Sequence, residues 1–355
     1  MQEATEPLIL VINPGSTSTK VALFHGDEKI ESREIRHDPW KGAELWDQFE
    51  PRAAAVETFL QSALPPGRDL QAVAGRGGLL KPLKRGTYRV NGSMIEDCRR
   101  NVQGAHVSNL GAALAGAIAR RYGCPAYTVD PVSVDEFEPL AYYSGHPLIP
   151  RRSLSHALNL RAAALRAAGQ LELDADRSAF VVVHMGGGIS VAPVQGGRVI
   201  DVNDASSAGP FSPERSGSLP LMPVIDLCFS GQYSIDQIKR MIMGRGGMKA
   251  YLGTSDLAKV ECRIESGDEK ALVVLRAMAY QIAKETGAMA TVLRGQVDAV
   301  VLTGGLAHSE RLIQELKSRI AFIAPVLVYP GEMELEAMAG GVLRVLRGRE
   351  QALTY

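Results

Sequence analysis

The stretch INPGSTSTK, residues 12–20, places one glycine, four hydroxyl side chains and a lysine within six consecutive positions. Backbone N–H groups near Gly15, the hydroxyls of Ser16 and Ser18 and the Lys20 ammonium are the donors that a phosphate group takes. A P-loop is excluded. That motif needs GxxxxGK[ST], with glycine directly before the lysine and a helix after it. Here Thr19 precedes Lys20, and an apolar run, Val21 to Phe24, follows. The stretch is therefore a turn between two strands. An ordinary Ser/Thr-rich hairpin has the same composition, so further features have to decide its use.

Two further glycine turns have the same setting. HMGGGIS carries Gly186, Gly187 and Gly188 in a row, and LTGGLA carries Gly304 and Gly305. Glycine lets a backbone approach an anion closely. Each turn follows an apolar run of strand length. One such turn is unremarkable. Three at comparable strand ends point to a nucleotide held between two related domains.

The elements that must position these turns repeat. LILVIN, KVALF and IESREI read as a three-strand meander with tight turns. Residues 179–204 read the same way, with Gly187 opposite Gly15 and QGGR near GDEK. DLQAVAGRGG is a short strand ending in a glycine-rich loop. SNLGAALAGAIARRYG is a helix, with Ser108 or Asn109 to cap it and Gly123 to stop it. PAYTVDP is a strand that runs into a loop at Asp130. VDAVVLTGGLA is a buried strand, residues 269–293 form a long helix, and EMELEAMAGGVLRVLRG is a final amphipathic helix. A proline- and glycine-rich stretch, Pro131 to Pro150, marks a boundary.

Length and composition narrow the class. The 355 residues suit two domains. Lysine plus arginine and aspartate plus glutamate both number 39, so no basic excess favours nucleic acid or an anionic membrane. Four cysteines, Cys98, Cys124, Cys228 and Cys262, lie far apart and suggest neither a disulfide framework nor a zinc site. MQEATEP lacks the basic and apolar regions of a signal peptide, and no apolar run approaches the ~20 residues of a membrane span. A cytoplasmic location is expected.

Eight segments occur in an order that resembles the acetate/butyrate kinase family along nearly the whole chain: VINPGSTSTKVALF, AGRGGLLKP, VDPVSVDEF, RRSLSHALN, HMGGGISVA, PERSGSLP, LTGGLAHS and YPGEMELEAMA. That family belongs to the acetate and sugar kinase/Hsp70/actin superfamily. The resemblance implies an α/β fold of two similar domains with mixed sheets flanked by helices, actin-like and ribonuclease H-like, with a cleft between them. It assigns 1–135 plus 336–355 to the first domain and 136–335 to the second. It implies ATP or ADP with Mg²⁺, and reversible phosphorylation of a short or branched fatty acid, butyrate-sized, to the acyl phosphate. Acetate or propionate kinase is the enzymatic alternative. A non-catalytic clamp of the actin/Hsp70 type is the remote one, but it expects a peptide-binding domain or a filament interface and leaves Arg76 and Arg215 unexplained. A homo-oligomer is expected, a dimer or an assembly of dimers, without nucleic-acid or membrane partners.

The resemblance also assigns residues. Asn13, Ser16, Ser18 and Lys20 match the first phosphate motif, Gly186 to Gly188 the second, and Gly304 with Gly305 the adenosine motif. Arg76, Asp130 and Arg215 match the active-site arginines and aspartate. Glu332 matches a magnesium-linked glutamate, with Glu334 two positions on as the alternative; Asp130 would share the metal. Arg152 stands where acetate kinases have an active-site histidine, His156 matches their second histidine, and Gly187 stands where they have asparagine. Gly77 and Gly78 replace valines of the methyl pocket, which suggests room for a longer acyl chain, although a turn alone would also explain them. The substrate carboxylate, with a pKa near ~4–5 like an Asp or Glu side chain, is already ionised at neutral pH. The task is therefore to bring an anion to a polyanion, which needs positive charge and positioning more than proton transfer. Arg76 is expected to orient the carboxylate and Arg215 the transferring phosphoryl group, since guanidinium forks bind both and stay charged.

Overall fold

The computed structural model describes residues 6–37 and 44–355, and the chain divides into two compact units, Met1–Asp135 with Met333–Tyr355, and Glu136–Glu332.

In the first unit, β1 (Leu8–Pro14), β2 (Ser18–His25) and β3 (Glu28–Arg36) form the antiparallel meander. After α1 (Phe49–Ala63), β4 (Ala72–Gly75) pairs parallel to β1. β5 (Thr87–Arg89), α2 (Gly92–Arg99) and α3 (Asn109–Arg121) follow, and β6 (Ala126–Val129) pairs parallel to β4. β1 is buried along its whole length because it lies inside a seven-stranded sheet. β3, EKIESREIR, forms one edge, and its charged side chains blunt that edge against further pairing.

In the second unit, α4 (Ala157–Gln170) leads into β7 (Ala179–Met185), β8 (Ile189–Gln195) and β9 (Arg198–Val199), again an antiparallel meander. Five helices follow: α5 (Leu221–Phe229), α6 (Ile235–Ile242), α7 (Gly247–Leu252), α8 (Leu257–Glu265) and α9 (Glu269–Val292). β10 (Ala299–Gly304) then pairs parallel to β7, and after α10 (Glu310–Ile320), β11 (Val326–Pro330) pairs parallel to β10. The chain ends with α11 (Glu334–Leu346) and β12 (Leu353–Thr354), which join the first unit; α11 packs on β1, β4 and β6 and β12 pairs with β5.

The sheet orders are β12-β5-β6-β4-β1-β2-β3 and β11-β10-β7-β8-β9. The run β6-β4-β1-β2-β3 thus recurs as β11-β10-β7-β8-β9, with the same parallel and antiparallel senses. This is the expected duplication, two α/β units with mixed sheets and flanking helices. Each sheet has its own aliphatic core: Leu10, Ile12, Val73, Leu110 and Leu114 in the first, Val181, Val183, Met278, Ile282 and Leu302 in the second.

One expected detail differs. The hydroxyl of Ser108 does not cap α3. Asn109 is fully buried, and its side chain accepts from the Leu79 N–H while donating to Asn101 and Gly104. It ties the loop after β4 to the start of α3 instead of closing the helix end. Among the described residues, no helix is long and apolar enough to cross a membrane.

Candidate active site

In an α/β sheet, the carboxyl ends of parallel strands open where chains diverge, and ligands bind there. The motifs occupy those ends in both units. Asn13 is near the end of β1, Arg76 follows β4, and Asp130 follows β6. Gly186 follows β7, Gly304 and Gly305 stand at the end of β10, and Glu332 follows β11. Hydrophobic runs fix the strands, so the residue after each run is delivered to one rim of its sheet.

The first rim holds a buried polar cluster. Asn13 donates through Nδ2 to Glu334 Oε2 at 2.6 Å, and Arg76 Nη1 pairs with the same oxygen. Arg76 is positioned by backbone: its N–H donates to the Ile12 carbonyl, and α3 packs so closely that a Cβ on Gly111 would lie 3.0 Å from the Arg76 carbonyl carbon. Glu334, in the first turn of α11, is 5% exposed, whereas Glu332 is exposed. Asp130 is held in the left-handed region at φ 39°, and its carboxylate accepts from the Gly86 N–H at 2.7 Å.

The turn after β1 is fastened from below. Gly15 N–H donates to the Ser18 carbonyl, and Ser18 Oγ donates to Glu34. Ser16 is exposed and Lys20 half-buried. Beneath the turn lies Arg52 of α1, 2% exposed, which donates to the carbonyls of Gly15 and Ser18 at 2.9 Å and to Thr19 Oγ1 at 2.8 Å. Thr19 Oγ1 also meets His37 Nε2 at 2.8 Å. Burial, and then the charge of Arg52, push the His37 pKa down.

In the second unit, Gly186 N–H closes the glycine turn on the Gly188 carbonyl at 3.0 Å, and Ser212 Oγ donates to the Gly187 carbonyl at 2.6 Å. Arg215 lies directly against the turn: a Cβ on Gly188 would come 2.6 Å from Arg215 Cζ. Only glycine leaves that space. Arg215 donates to the Ala205 carbonyl at 2.8 Å. Burial lowers its pKa, opposed by the nearby charges of Asp204 and Glu214. Arg152 Nε donates to Asp204 at 2.9 Å, so Asp204 influences both arginines. His156 bonds Ser190 Oγ at 2.9 Å and stacks on buried His184 with ring centroids 4.2 Å apart, at the base of the turn. Gly304 has φ 93°, and a Cβ there would lie 2.8 Å from the Met185 carbonyl carbon and closer still to its oxygen, so the turn after β10 requires glycine on both counts.

The expectation for Gly77 and Gly78 is corrected. A Cβ on Gly77 would lie 2.5 Å from Pro131 Cβ, and one on Gly78 would lie 2.7 Å from Asn109 Cα. Both positions face packed protein, so their glycines permit close packing rather than leave room for an acyl chain.

The motifs did not disclose the contacts that Arg52, Asp204 and Ser212 make at these turns, nor that Glu334 is buried while Glu332 is exposed. Arg52 had a signal: it lies on the stripe of α1 that buries Ala53, Val56, Phe59 and Leu60. A lone basic residue on an apolar stripe must find internal acceptors.

Among the described residues, no group of three or more His, Cys, Asp or Glu forms a ready-made metal cage. Magnesium in phosphoryl-transfer sites needs only one or two carboxylates beside water and phosphate oxygens, and the donor set at the first rim, Asp130 and Glu334, suits that chemistry.

Two duplicated α/β units with mixed sheets, flanking helices and glycine turns at their strand ends define a protein of the actin-like fold. The chain belongs to the acetokinase family, whose model matches residues 139–323. It is 49% identical over 352 residues to the probable butyrate kinase 2 of Caldanaerobacter subterraneus subsp. tengcongensis, covering 98% of this chain and 99% of that protein. Its fold matches Porphyromonas gingivalis acetate kinase with TM-score 0.81 at 19% identity, over 96% of this chain and 100% of the other. A propionate kinase from Francisella tularensis subsp. tularensis SCHU S4 matches with TM-score 0.72 at 16% identity, over 94% and 98%. The family is one of carboxylate kinases, and the chain is a phosphotransferase of that kind.

Proposed function

We propose that the chain catalyses reversible transfer of the ATP γ-phosphoryl group to butyrate, or to a related short or branched fatty acid, giving the acyl phosphate and ADP. The observation that carries the acceptor side of this reading is the Asn13–Arg76–Glu334 cluster at the rim of the first sheet. Length preference for butyrate rests on the full-length likeness to a probable butyrate kinase. Relative turnover on acids of two to five carbons separates it from an acetate or propionate kinase.

In this mechanism the acid arrives ionised, so no side chain removes a proton. Arg76 presents its remaining guanidinium donors to the carboxylate, while Glu334 fixes the plane of the fork. Lys20, Ser16, Ser18 and the backbone N–H groups of Ser16 and Thr17 hold the end of ATP being transferred. Gly186, Gly187 and Gly188 let the second turn approach phosphate. Gly304 and Gly305 do the same beside the nucleoside. Arg215 supplies charge to the transferring oxygens, and its partly desolvated site strengthens that effect. Arg152 adds charge at the edge and is itself steered by Asp204. His156 and His184 brace the base of the second turn rather than line an acid pocket. Magnesium would be held by Asp130 and Glu334, directly or through water, and would neutralise phosphate charge. Glu334 takes the role expected of Glu332, because it alone of the two is buried among active-site partners.

We also propose that the protein self-associates and works in the cytoplasm. Residues 219–243 expose Leu221, Met222, Phe229 and Ile235, each at 67% or more, an apolar concentration unusual for a monomer surface. Free cysteines and ATP as substrate suit a reducing compartment.

The test of the activity is a hydroxylamine trap for acyl phosphate, with Mg·ATP and a panel of short acids. Hydroxamate formation with butyrate is expected. No product from any acid would overturn the proposal.

A further inference from the structure

The phosphate turn of the first unit is built over a buried cation. Arg52 uses its whole fork. Nη1 donates to the Ser18 carbonyl at 2.9 Å and to Thr19 Oγ1 at 2.8 Å. Nη2 donates to the Gly15 carbonyl at 2.9 Å and leans on the Ser16 carbonyl at 3.4 Å. Nη2 and Nε both donate to Gln48 Oε1, at 2.8 and 3.2 Å. Every partner among the described residues is neutral. A guanidinium 2% exposed, with no carboxylate among its partners in the described residues, is costly to keep. Its field is also little screened.

The fork also decides which way the peptide groups face. In a trans peptide the C=O of one residue and the N–H of the next point in opposite directions. The carbonyls of Gly15 and Ser16 turn inward to Arg52. The N–H groups of Ser16 and Thr17 are consequently turned outward. Both residues are exposed, and among the described residues neither N–H has a protein acceptor. Two adjacent outward N–H groups over a buried positive charge form a concavity for an anion.

We propose that Arg52 is a positioning residue for phosphoryl transfer: it locks the turn so that the Ser16 and Thr17 N–H groups face the phosphate, and it supplies a positive charge whose counter-ion is the bound phosphate itself. It touches no substrate atom. Lysine cannot replace it, since one ammonium cannot hold carbonyls of three residues and a hydroxyl in a plane. The inference rests on the carboxylate-kinase reading. Wild-type hydroxamate formation tests that reading first, and separately.

The experiment compares wild type with Arg52→Lys in kcat, in KM for butyrate, and in Kd for ADP against Kd for adenosine. Arg52→Lys should lower kcat about a hundredfold, the scale on which an aligned backbone donor acts. It should weaken ADP while leaving adenosine binding and the KM for butyrate unchanged. Guanidinium chloride at millimolar concentration should restore part of kcat in Arg52→Ala and none in wild type. Should neither Arg52 variant fold, Gln48→Leu carries the test. It keeps the charge, removes the Gln48 acceptor that steadies the fork, and should shift the ADP-to-adenosine Kd ratio in the same direction. A ratio within twofold of wild type in the folded variant, or equal weakening of ADP and adenosine, would overturn the proposal.

Discussion

Glu334 and Arg76 form an ion pair across 258 positions of sequence, with side chains only 6% and 16% exposed. Asn13 donates to the same carboxylate oxygen. The first turn of the last long helix is thereby joined to the ends of two parallel strands, and the guanidinium that would orient a substrate carboxylate is held by a carboxylate of the protein.

Glu334→Gln keeps the shape and loses the charge. It should lower kcat by about 10–100-fold, as losing a partner that orients a ligand does, and raise the Mg²⁺ concentration for half-maximal rate. Glu332→Gln should leave both within about twofold, since exposed charges contribute little. Steady-state rates over a Mg²⁺ titration decide between them. Equal effects of the two variants would remove the special role given to Glu334.

Gly188 and Gly304 should respond differently to alanine. At Gly188 the new Cβ meets the far end of Arg215, a flexible side chain that can swing away. Gly188→Ala should therefore fold normally and lose about 10²-fold in kcat, the scale of one displaced electrostatic donor. At Gly304 the Cβ meets Met185 backbone with φ at 93°. Gly304→Ala should cost about 1–3 kcal/mol of stability. Thermal melts beside kinetics separate the two effects.

Gly78→Val does not test acyl-chain length. Its Cβ would lie 2.7 Å from Asn109 Cα, in a buried junction between the loop after β4 and α3. The variant should lose stability by about 1–3 kcal/mol or more from overpacking. Its remaining activity should fall equally on acetate and butyrate. A selective loss of butyrate turnover in a protein that melts like wild type would restore the pocket role.

His37 gives a pH signature. Its pKa lies below the ordinary 6.5 because of burial and then Arg52. Between that lowered value and 6.5, the unfolded chain binds a proton that the folded chain refuses. Its contribution to stability is thus full above 6.5, shrinks as pH falls through the window, and is lost below the folded value. Melting midpoints of wild type should drop on acidification more steeply than those of His37→Gln. Parallel curves would show that the contact with Thr19 does not couple to protonation.

The fold and the glycine turns were legible because they are local. Apolar runs of strand length followed by glycine fix where a strand stops, and the meander repeats visibly at β1–β3 and β7–β9. Those runs deliver Asn13, Arg76, Asp130, Gly186 and Gly304 to the sheet rims with no tertiary knowledge. The choice between Glu332 and Glu334 was not local. Both carboxylates lie beside the same helix start, and only the docking of α11 on the first sheet buries one of them. Gly77 and Gly78 looked like space in a one-dimensional reading, and only α3 shows what fills it. Arg52 carried a signal, a cation on an apolar stripe, but the turn it fastens lies over thirty positions away. Sequence by itself determined where chemistry-bearing residues leave the strands, because periodicity and turn residues act over a few positions. Tertiary structure alone decided which charges are buried together and which carbonyls they turn, because burial and hydrogen bonding depend on segments that meet only when the sheets are covered.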